Sequence, residues 1–410
     1  MTKEKSWLIY QDCNNLYGLA MSEYMPYGGF NWIESNLDGL SELKPKSEKG
    51  RVYEVDVTYP HHLHDKHNDL PFLTQNSIPE ESKVKKLMAI FERKKNYIVH
   101  YRNLQPAIEN GLLVEKVHRV LEFSQSDWLA KYIQMNTEMR KKARNKFEKD
   151  FFKLMNNAVF GKTMQSKRKE MKMEMVSCEK RLQKLINKTI FKHGIYYNDN
   201  LTAVTLENKI ITFDKPIYIE FAVLDISKTL IYDYHYNVLQ KHYGENIKLM
   251  YTDIDSLVYQ IMTVDFYEDL LENPNLMNRL DTTDLPPTHP CYTTAKKKVP
   301  GFFSDELKGH TMTEFCALRA KSYVFNIYMI RVGGEKIKAK GIREHVVKNH
   351  MTMDEHRKYL FGEAGVEMYK ENVSIRSFKH QLMTIKTKKL TYNSYDDKRV
   401  VLDQWFPTQQ

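Results

Sequence analysis

Apolar and polar positions follow two different periods along this chain, and together they predict a mixture of strands and helices. The apolar run Trp7–Tyr10 ends just before Asp12 and predicts a buried strand that carries a carboxylate at its tip. Residues 52–59 alternate in the manner of a half-buried strand. Two β-like runs within 248–259 flank an acidic turn and predict a hairpin, and a further strand pair is predicted at 314–339.

Helical spacing replaces this alternation in other parts of the chain. Ser126 or Asp127 can cap a helix whose apolar residues recur every three or four positions, and a second helix is predicted over 146–164. A third helix is predicted from 227 to 243, beginning with a serine cap. Residues 346–410 are predicted to be mostly helical and polar.

Composition narrows the class of protein. A length of 410 residues predicts two to three domains, and 42% hydrophobic residues suffice to form a core. No apolar run approaches the roughly 20 residues of a membrane span, so no membrane partner is expected. The 62 Lys and Arg against 52 Asp and Glu favour a polyanionic partner without identifying it. The four cysteines are far apart, which argues against a disulfide scaffold or a zinc finger and favours a reducing compartment.

The acidic turn is the strongest chemical feature. Asp253 and Asp255 stand two positions apart in a predicted hairpin, so their carboxylates lie side by side and need a cation. Such a pair alone is more often part of a solvated turn. Here apolar strands enter and leave the turn and bury most of its surroundings, which disfavours a solvated turn. Asp12 alone reads as a strand-end cap. As a third carboxylate on a neighbouring strand it would complete a site for two divalent ions.

A row of cationic side chains forms the next feature. The residues fall at steps of three or four and share one predicted helical face. They are the four lysines Lys142, Lys146, Lys149 and Lys153, followed on the same face by Asn157 and Phe160. A solvated face usually mixes charges of both signs, so a triphosphate lying along the row explains it better. Gly161 would let a base pair approach the backbone closely.

In the order in which they occur, these segments resemble the motifs of family B DNA polymerases. Asp12–Tyr17 resembles motif A, Lys153–Gly161 resembles motif B and Tyr251–Ser256 resembles motif C. Lys321 and Tyr323 fit the downstream K-x-Y motif. The long insertion between motifs A and B is similar to the first terminal-protein region of protein-primed polymerases, such as those of Polinton/Maverick elements, virophages and linear plasmids.

The resemblance implies a role for each matching residue. Asp12 and Asp255 would bind two Mg²⁺ ions, with Mn²⁺ able to substitute, and Asp253 would assist. Tyr17 would be the steric gate that excludes a 2′-hydroxyl. The implied nucleotide-binding residues are Leu16, Tyr17, Lys142, Lys146, Lys153, Asn157, Phe160 and Gly161. The implied DNA-binding residues are Tyr251, Ser256, Lys321, Tyr323, Lys338 and Lys340.

The resemblance also implies a fold and an activity. The expected fold is α+β, a right hand with an antiparallel palm sheet, helical fingers and a thumb. Its expected parts are palm (1–22 and 207–345), terminal-protein-region-like insertions (23–123 and 165–206), fingers (124–164) and thumb (346–410). The expected activity is template-directed DNA synthesis, in which a primer 3′-OH or a protein hydroxyl attacks a dNTP. The expected partners are therefore template, primer, dNTPs and a terminal protein.

Some positions depart from the family pattern. Asn15 and Gly18 alter motif A, Ala158 and Phe160 alter motif B, and Ile254 alters motif C, but no metal ligand or phosphate lysine is lost. Family members carry a 3′→5′ exonuclease domain before motif A, and only 11 residues precede Asp12 here, so proofreading is not expected of this chain. A non-catalytic nucleic-acid-binding remnant and a different two-metal enzyme, such as a nuclease, remain alternatives.

Overall fold

The computed structural model describes residues 3–78, 85–328, 334–362, 367–378 and 381–393. The strands are β1 (Lys5–Cys13), β2 (Met25–Ile33), β3 (Lys49–Thr58), β4 (Gln75–Ser77), β5 (Lys86–Met88), β6 (Lys94–His100), β7 (Leu113–Ser126), β8 (Lys172–Val176), β9 (Phe191–Asn198), β10 (Leu201–Leu206), β11 (Ile247–Asp253), β12 (Ser256–Thr263), β13 (Leu280–Asp281), β14 (Phe303–Asp305), β15 (Thr311–Arg319), β16 (Ser322–Tyr328), β17 (Gly334–Ala339), β18 (Glu367–Phe378) and β19 (Gln381–Asn393).

Helices are interspersed among these strands in the described residues. They are α1 (Leu16–Ser22), α2 (His64–His67), α3 (Tyr101–Glu109), α4 (Ala130–Lys142), α5 (Lys146–Thr163), α6 (Glu179–Ile186), α7 (Ile217–Tyr232), α8 (Lys241–Tyr243), α9 (Phe266–Glu272), α10 (Pro274–Met277), α11 (Glu344–His350) and α12 (Met353–Phe361). A π-helical segment, Asp233–Gln240, joins α7 to α8. None of the described helices combines the length and apolarity that crossing a lipid bilayer requires.

A five-stranded sheet, the central sheet, has the order β11-β12-β1-β14-β13. Strand β1 pairs antiparallel with β12 along its whole length, from Lys5 opposite Thr263 to Asp12 opposite Ser256. Because successive side chains of β1 point to opposite faces, Ile9 packs towards α7 and the π-helical segment, whereas Tyr10 packs towards the second sheet, β15-β16-β17. The central sheet is therefore covered on both faces, as the α+β prediction requires.

Residues 23–123 build a separate four-stranded sheet of order β2-β7-β3-β6, which has its own core. This sheet docks against α7 and the π-helical segment mainly through aromatic rings. Phe72 stacks on Tyr236, with ring centroids 4.9 Å apart. The hydroxyls of Tyr232 and Tyr236 donate to the main-chain oxygens of Pro71 and Leu70. The docking therefore combines ring packing with hydrogen bonds of defined partners.

Two neutral histidines lie buried at this junction and predict acid sensitivity. His67 shares a hydrogen bond of 2.8 Å with Tyr59, and His235 shares one of 3.1 Å with Tyr259. Burial is the main cause that lowers the pKa of each imidazole to about 4, and the charge of Lys66 adds to the effect at His67. The unfolded value is near 6.5, so the folded state binds fewer protons between about pH 4 and 6.5. The two neutral histidines therefore cost no stability above about pH 6.5. Below that pH they lower the free energy of unfolding as the pH decreases.

We expect the two histidines to lower the urea midpoint of unfolding at pH 5 relative to pH 7, against the buried carboxyls of Asp12 and Asp305, which act in the opposite direction because their pKa values are raised to about 6. Replacing His67 by Phe should reduce this lowering, because the unfolded state then gains one proton fewer. Replacing the exposed His310 by Gln is the matched control and should leave the difference unchanged. A change of midpoint between the two pH values that is the same in His67→Phe as in the wild type would contradict this account of the junction.

The two helices predicted after residue 124 are present as α4 and α5. The start of α4 and the interruption between α4 and α5 differ from the prediction. Strand β7 continues to Ser126, so neither Ser126 nor Asp127 caps a helix, and α4 begins only at Ala130. The side chain of Asn145 caps α5 by accepting from the Glu148 N–H. Because this cap starts a new helix, Lys142 ends α4 and does not share the face of α5. Including Lys142 in the cationic row was therefore wrong.

Three further predictions are corrected by the structure. The helix expected from 227 begins ten residues earlier, at Ile217, and Ser227 is buried inside it. The strand pair expected at 314–339 is a three-stranded sheet. Residues 367–378 and 381–393 are the paired strands β18 and β19, and not helices, because β-branched residues recur along both strands. Among the described residues after 343, the helices are α11 and α12.

Candidate active site

Antiparallel register brings Asp12 and Asp255 together at one end of the central sheet. Asp12 lies opposite Ser256, whose hydroxyl donates to the Asp12 Oδ2 over 2.9 Å. The next residue, Cys13, donates its main-chain N–H to the Asp255 carbonyl oxygen over 2.8 Å. The carboxylates predicted from two distant segments are therefore neighbours.

The two carboxylates repel each other in a partly buried environment. Burial and the charge of Asp255 raise the pKa of Asp12 to about 6, against the opposing hydrogen bond from Ser256. Burial and the charge of Asp253 likewise raise the pKa of Asp255, while Lys321 and Lys153 oppose that rise. Carboxylate oxygens held close together and short of positive charge suit a divalent cation, so this pair fits the Mg²⁺ that the sequence implies.

The hairpin turn between β11 and β12 is unusually tight. The Asp255 N–H donates to the Asp253 carbonyl oxygen over 2.7 Å, which closes a three-residue turn around Ile254. Ile254 has φ 61°, a conformation that is costly for a β-branched residue. Such strain collects at functional sites, where the surrounding structure enforces it. Here it lies between the two acidic residues that the sequence singles out.

Asp253 is already paired with a cation of the protein. Its Oδ2 lies 3.1 Å from the Lys321 Nζ. The main-chain N–H of Lys321 donates to the Tyr251 hydroxyl over 2.8 Å, which fixes the turn between β15 and β16. In the described residues, no group of three or more His, Cys, Asp and Glu side chains is arranged to hold a metal ion. Of the three predicted carboxylates, Asp12 and Asp255 are close enough for their charges to interact, and Asp253 is paired with a lysine.

The residues expected to contact DNA divide into buried and exposed groups. Tyr251 and Tyr323 are only 5% and 6% exposed, and Tyr323 shares a hydrogen bond of 2.8 Å with Tyr10, so both support the site from beneath. Ser256 is occupied in orienting Asp12. Lys338 and Lys340 are exposed on and beside β17, and the Lys340 N–H donates to the Lys321 carbonyl oxygen. Of the predicted DNA-binding residues, Lys338 and Lys340 are exposed and Lys321 is partly exposed.

Helix α5 presents the remaining cationic row next to the carboxylates. Lys146, Lys149, Lys153 and Asn157 are all exposed on it. The charge of Lys153 is close enough to Asp255 to lower the pKa of that carboxyl. A Cβ placed on Gly161 would meet no atom within 4 Å, so the end of the row is open.

Two aromatic rings close the space between the carboxylates and α5. Tyr17 and Phe160 have ring centroids 4.6 Å apart and planes tilted by 33°. Burial and then the charges of Asp255 and Asp253 raise the pKa of the Tyr17 hydroxyl, which places this ring beside the acidic turn. Leu16 is 2% exposed and packs in the core, so its side chain does not line the site.

One acidic residue that the sequence analysis did not assign to the site lies beside it. The Glu306 N–H donates to the Tyr10 carbonyl oxygen over 3.0 Å, and the Glu306 charge contributes to the raised pKa of Asp12. Its sequence neighbour Asp305 has a purely local role, accepting from the N–H groups of Leu307 and Gly309. A carboxylate directly after a short strand was the available signal for Glu306.

Comparison with known proteins gives one family and one fold. Residues 2–241 match the family described as DNA polymerase type B, organellar and viral. The fold is similar to Phi29 DNA polymerase complexed with primer-template DNA and incoming nucleotide substrates, with a TM-score of 0.58 and 14% identity over 96% of this chain and 59% of that chain. Phi29 DNA polymerase complexed with primer-template DNA alone gives a TM-score of 0.58 and 14% identity over 95% of this chain and 59% of that chain. The orthorhombic crystal form of Phi29 DNA polymerase gives a TM-score of 0.56 and 14% identity over 95% of this chain and 59% of that chain.

These comparisons confirm the predicted α+β right-hand polymerase fold. The chain spans about 59% of the length of the Phi29 structures that it matches. No curated protein matches the sequence.

Proposed function

Because this chain belongs to the organellar and viral type B DNA polymerases, we propose that it catalyses template-directed addition of dNTPs to a primer. The observation that carries the proposal is the meeting of Asp12 and Asp255 beside the cationic helix α5. Phi29 DNA polymerase, which shares the fold, is complexed with primer-template DNA and incoming nucleotide substrates. That likeness supports DNA and dNTPs as the ligands of this chain.

In the proposed reaction, the primer 3′-oxygen bonds to the α-phosphorus of the dNTP, and the bond to pyrophosphate breaks. Asp12 and Asp255 would hold two Mg²⁺ ions, which activate the 3′-hydroxyl and neutralise the charge on the phosphates. Ser256 keeps the Asp12 carboxylate in one orientation through its hydrogen bond. The row Lys146, Lys149 and Lys153 positions the triphosphate, and positioning with charge neutralisation is most of what phosphoryl transfer requires.

Tyr17 and Phe160 would form the walls of the nucleotide pocket. Tyr17 lies between the acidic turn and α5, where the sugar of an incoming nucleotide has to pass. We assign it as the steric gate against a 2′-hydroxyl. Phe160 and the open surface at Gly161 would support the nascent base pair.

The path of DNA and the domain roles are also proposals. Lys338 and Lys340 extend the exposed positive surface from Lys321 along β17 and would follow the primer strand. The core formed by 23–123 and the smaller sheet β8-β10-β9 with α6 are the candidate terminal-protein-region insertions. Helices α4 and α5 would be the fingers, and residues 346–410, of which 394–410 lie outside the described residues, would be the thumb. Priming by a protein hydroxyl follows from the resemblance of the insertions.

Lys153 offers a quantitative test of the triphosphate assignment. Replacing Lys153 by Ala should lower kcat/KM for dNTP addition at least about tenfold, because a hydrogen bond to a charged group is worth about 1.5–3 kcal/mol. Single-nucleotide incorporation kinetics measure this effect. Lys162, exposed on another face of α5, is the matched control, and replacing it by Ala should leave kcat/KM near the wild-type value. Equal losses in the two variants would contradict a specific phosphate contact.

Extension of a labelled primer on a DNA template, with Mg²⁺ and all four dNTPs, tests the proposed function directly. The proposal predicts template-dependent extension of the primer by the purified chain. Salt-sensitive DNA binding without extension at any Mg²⁺ or Mn²⁺ concentration would instead identify a non-catalytic nucleic-acid-binding protein. Shortening of the labelled DNA without dNTPs would identify a nuclease.

A further inference from the structure

A buried aspartate lies behind the candidate active site, and its carboxylate accepts four hydrogen bonds. Asp281, at the end of β13, is 1% exposed. Its Oδ1 accepts from the N–H and the hydroxyl of Thr283, over 3.2 and 2.6 Å. Its Oδ2 accepts from the Lys298 N–H and the Asn14 Nδ2, both over 2.8 Å. Both oxygens are fully used, which is the arrangement expected of an ionised buried carboxylate.

The bond to Asn14 differs from the other three because it joins segments 267 residues apart. The other donors belong to the loop that follows Asp281 itself. Burial favours the neutral carboxyl, but the hydrogen bonds from Thr283, Lys298 and Asn14 outweigh it and hold the pKa of Asp281 below its ordinary value. An ionised carboxylate can only accept, so the amide nitrogen of Asn14 must be the atom that faces it.

Asn14 stands in the turn between the Asp12 carboxylate and the Tyr17 ring. Its N–H donates to the Phe302 carbonyl oxygen over 2.9 Å, and its own carbonyl oxygen accepts from Gly301 over 2.8 Å. The next residue, Asn15, adopts φ 47° before α1 begins. The direction in which the chain leaves β1 therefore depends on this small set of bonds.

The segment that follows Asp281 wraps closely around this turn. Gly301 has φ 86°, and a Cβ there would lie 2.4 Å from a methyl carbon of Leu19 on α1. Glycine is thus required where the segment crosses α1. Residues 281–302 therefore hold Asn14 in two ways. Asp281 binds its side chain, and Gly301 and Phe302 bond to its main chain.

We propose that Asp281 is a positioning residue, which through Asn14 fixes the turn that sets the directions of Asp12 and Tyr17. The proposal rests on the function proposed above and adds to it a residue outside the four motifs. Asp281 itself contacts neither nucleotide nor DNA. Its effect is transmitted by one hydrogen bond, in the way that partners of metal ligands hold those ligands in place.

Variants of Asn14 test this role better than variants of Asp281. Replacing Asp281 by Ala would leave several buried donors without an acceptor and could unfold the loop. In Asn14→Ala, Asp281 keeps three donors, so only the link is lost. Asn14→Asp keeps the size of the side chain and replaces the donor by a second carboxylate, so its effect should be larger. The control is Asp284→Asn, which removes a surface ion pair with the Lys298 Nζ on the same loop.

Two readouts separate positioning from mere structural support. The first is Mn²⁺ binding to the free protein, followed by electron paramagnetic resonance, and the second is kcat and KM for single dNTP addition. With melting still cooperative, Asn14→Ala should weaken Mn²⁺ binding and lower kcat by about 10- to 100-fold, as is usual when partners of metal ligands are lost. Asn14→Asp should lower both further, and Asp284→Asn should match the wild type.

The Mn²⁺ readout keeps this proposal distinguishable from the proposed function. If the wild-type chain extends no primer, the proposed function fails, and the Mn²⁺ affinities of the three variants still test the role of Asp281. If Asn14→Ala and Asn14→Asp bind Mn²⁺ as tightly as the wild type, the positioning role is overturned. A loss confined to melting temperature, with Mn²⁺ affinity and kcat unchanged, would also overturn it.

Discussion

Replacing Asp255 by Asn abolishes nucleotide addition, with an expected loss on the order of 10³-fold or more in kcat. The side chain keeps its size, but the site loses one of the two interacting carboxylates at the end of the central sheet. Asp12 alone provides too little negative charge to hold two divalent ions. Single-turnover incorporation of one dNTP on a primer-template measures the loss.

DNA binding should survive this substitution, because removing a negative charge beside DNA does not weaken attraction to phosphates. Asp265→Asn is the matched control. This substitution also removes one negative charge. In the wild type the Asp265 side chain caps α9 by accepting from the N–H groups of Tyr267 and Glu268, and an Asn side chain can accept the same bonds. Nucleotide addition by Asp255→Asn at a rate near that of Asp265→Asn would contradict the two-carboxylate mechanism.

Replacing Tyr17 by Val should admit ribonucleotides. The Tyr17 ring lies against Phe160 and beside the acidic turn, so its removal opens space where a 2′-hydroxyl would sit. We expect the preference for dNTPs over rNTPs, measured as the ratio of kcat/KM values, to fall at least about tenfold. A tenfold change equals about 1.4 kcal/mol of differential transition-state free energy.

Phe160→Leu provides the comparison for this variant. It removes the stacking partner but leaves the Tyr17 ring as the barrier, so dNTP addition should weaken with little change in sugar preference. Unchanged sugar preference in Tyr17→Val would show that another residue is the gate. Loss of preference in Phe160→Leu alone would assign the gate to α5 instead of α1.

The central part of the fold could be predicted because local pattern and long-range packing agree there. The run Trp7–Tyr10 is apolar because β1 is the middle strand of a sheet covered on both faces. The alternation within 248–259 marks a hairpin in which β12 pairs with β1. Once these strands are adjacent, their register alone places Asp12 next to Asp255. The meeting of Asp12 and Asp255 could therefore be predicted from two short segments.

Boundaries set by single capping interactions could not be predicted as well. The lysine spacing continues across 142–146, but Asn145 starts a new helix there and separates Lys142 from the rest of the row. The strand pair β18–β19 carries many exposed lysines, which resemble a polar helix by composition alone. Alternating β-branched residues were the better signal, because they mark a pleated strand even when little of it is buried.

Asp281 and Glu306 could not be assigned to the site because their effects depend on distant pairing. Asp281 stands in a Pro- and Asp-rich stretch that reads as loop, and only β13 brings it to the edge of the central sheet. Glu306 follows β14, and its position beside Tyr10 depends on the pairing of β14 with β1. Neither pairing has a periodic signature, since both strands are only two or three residues long.

Anomalous scattering from Mn²⁺ in crystals of the chain with primer-template DNA and an incoming nucleotide tests the central claim most directly. The account predicts two Mn²⁺ peaks, roughly 3.5–4 Å apart, each with a carboxylate oxygen of both Asp12 and Asp255 among its ligands. The account would be contradicted if the nucleotide is bound but the Mn²⁺ peaks lie elsewhere on the protein and neither Asp12 nor Asp255 is a metal ligand.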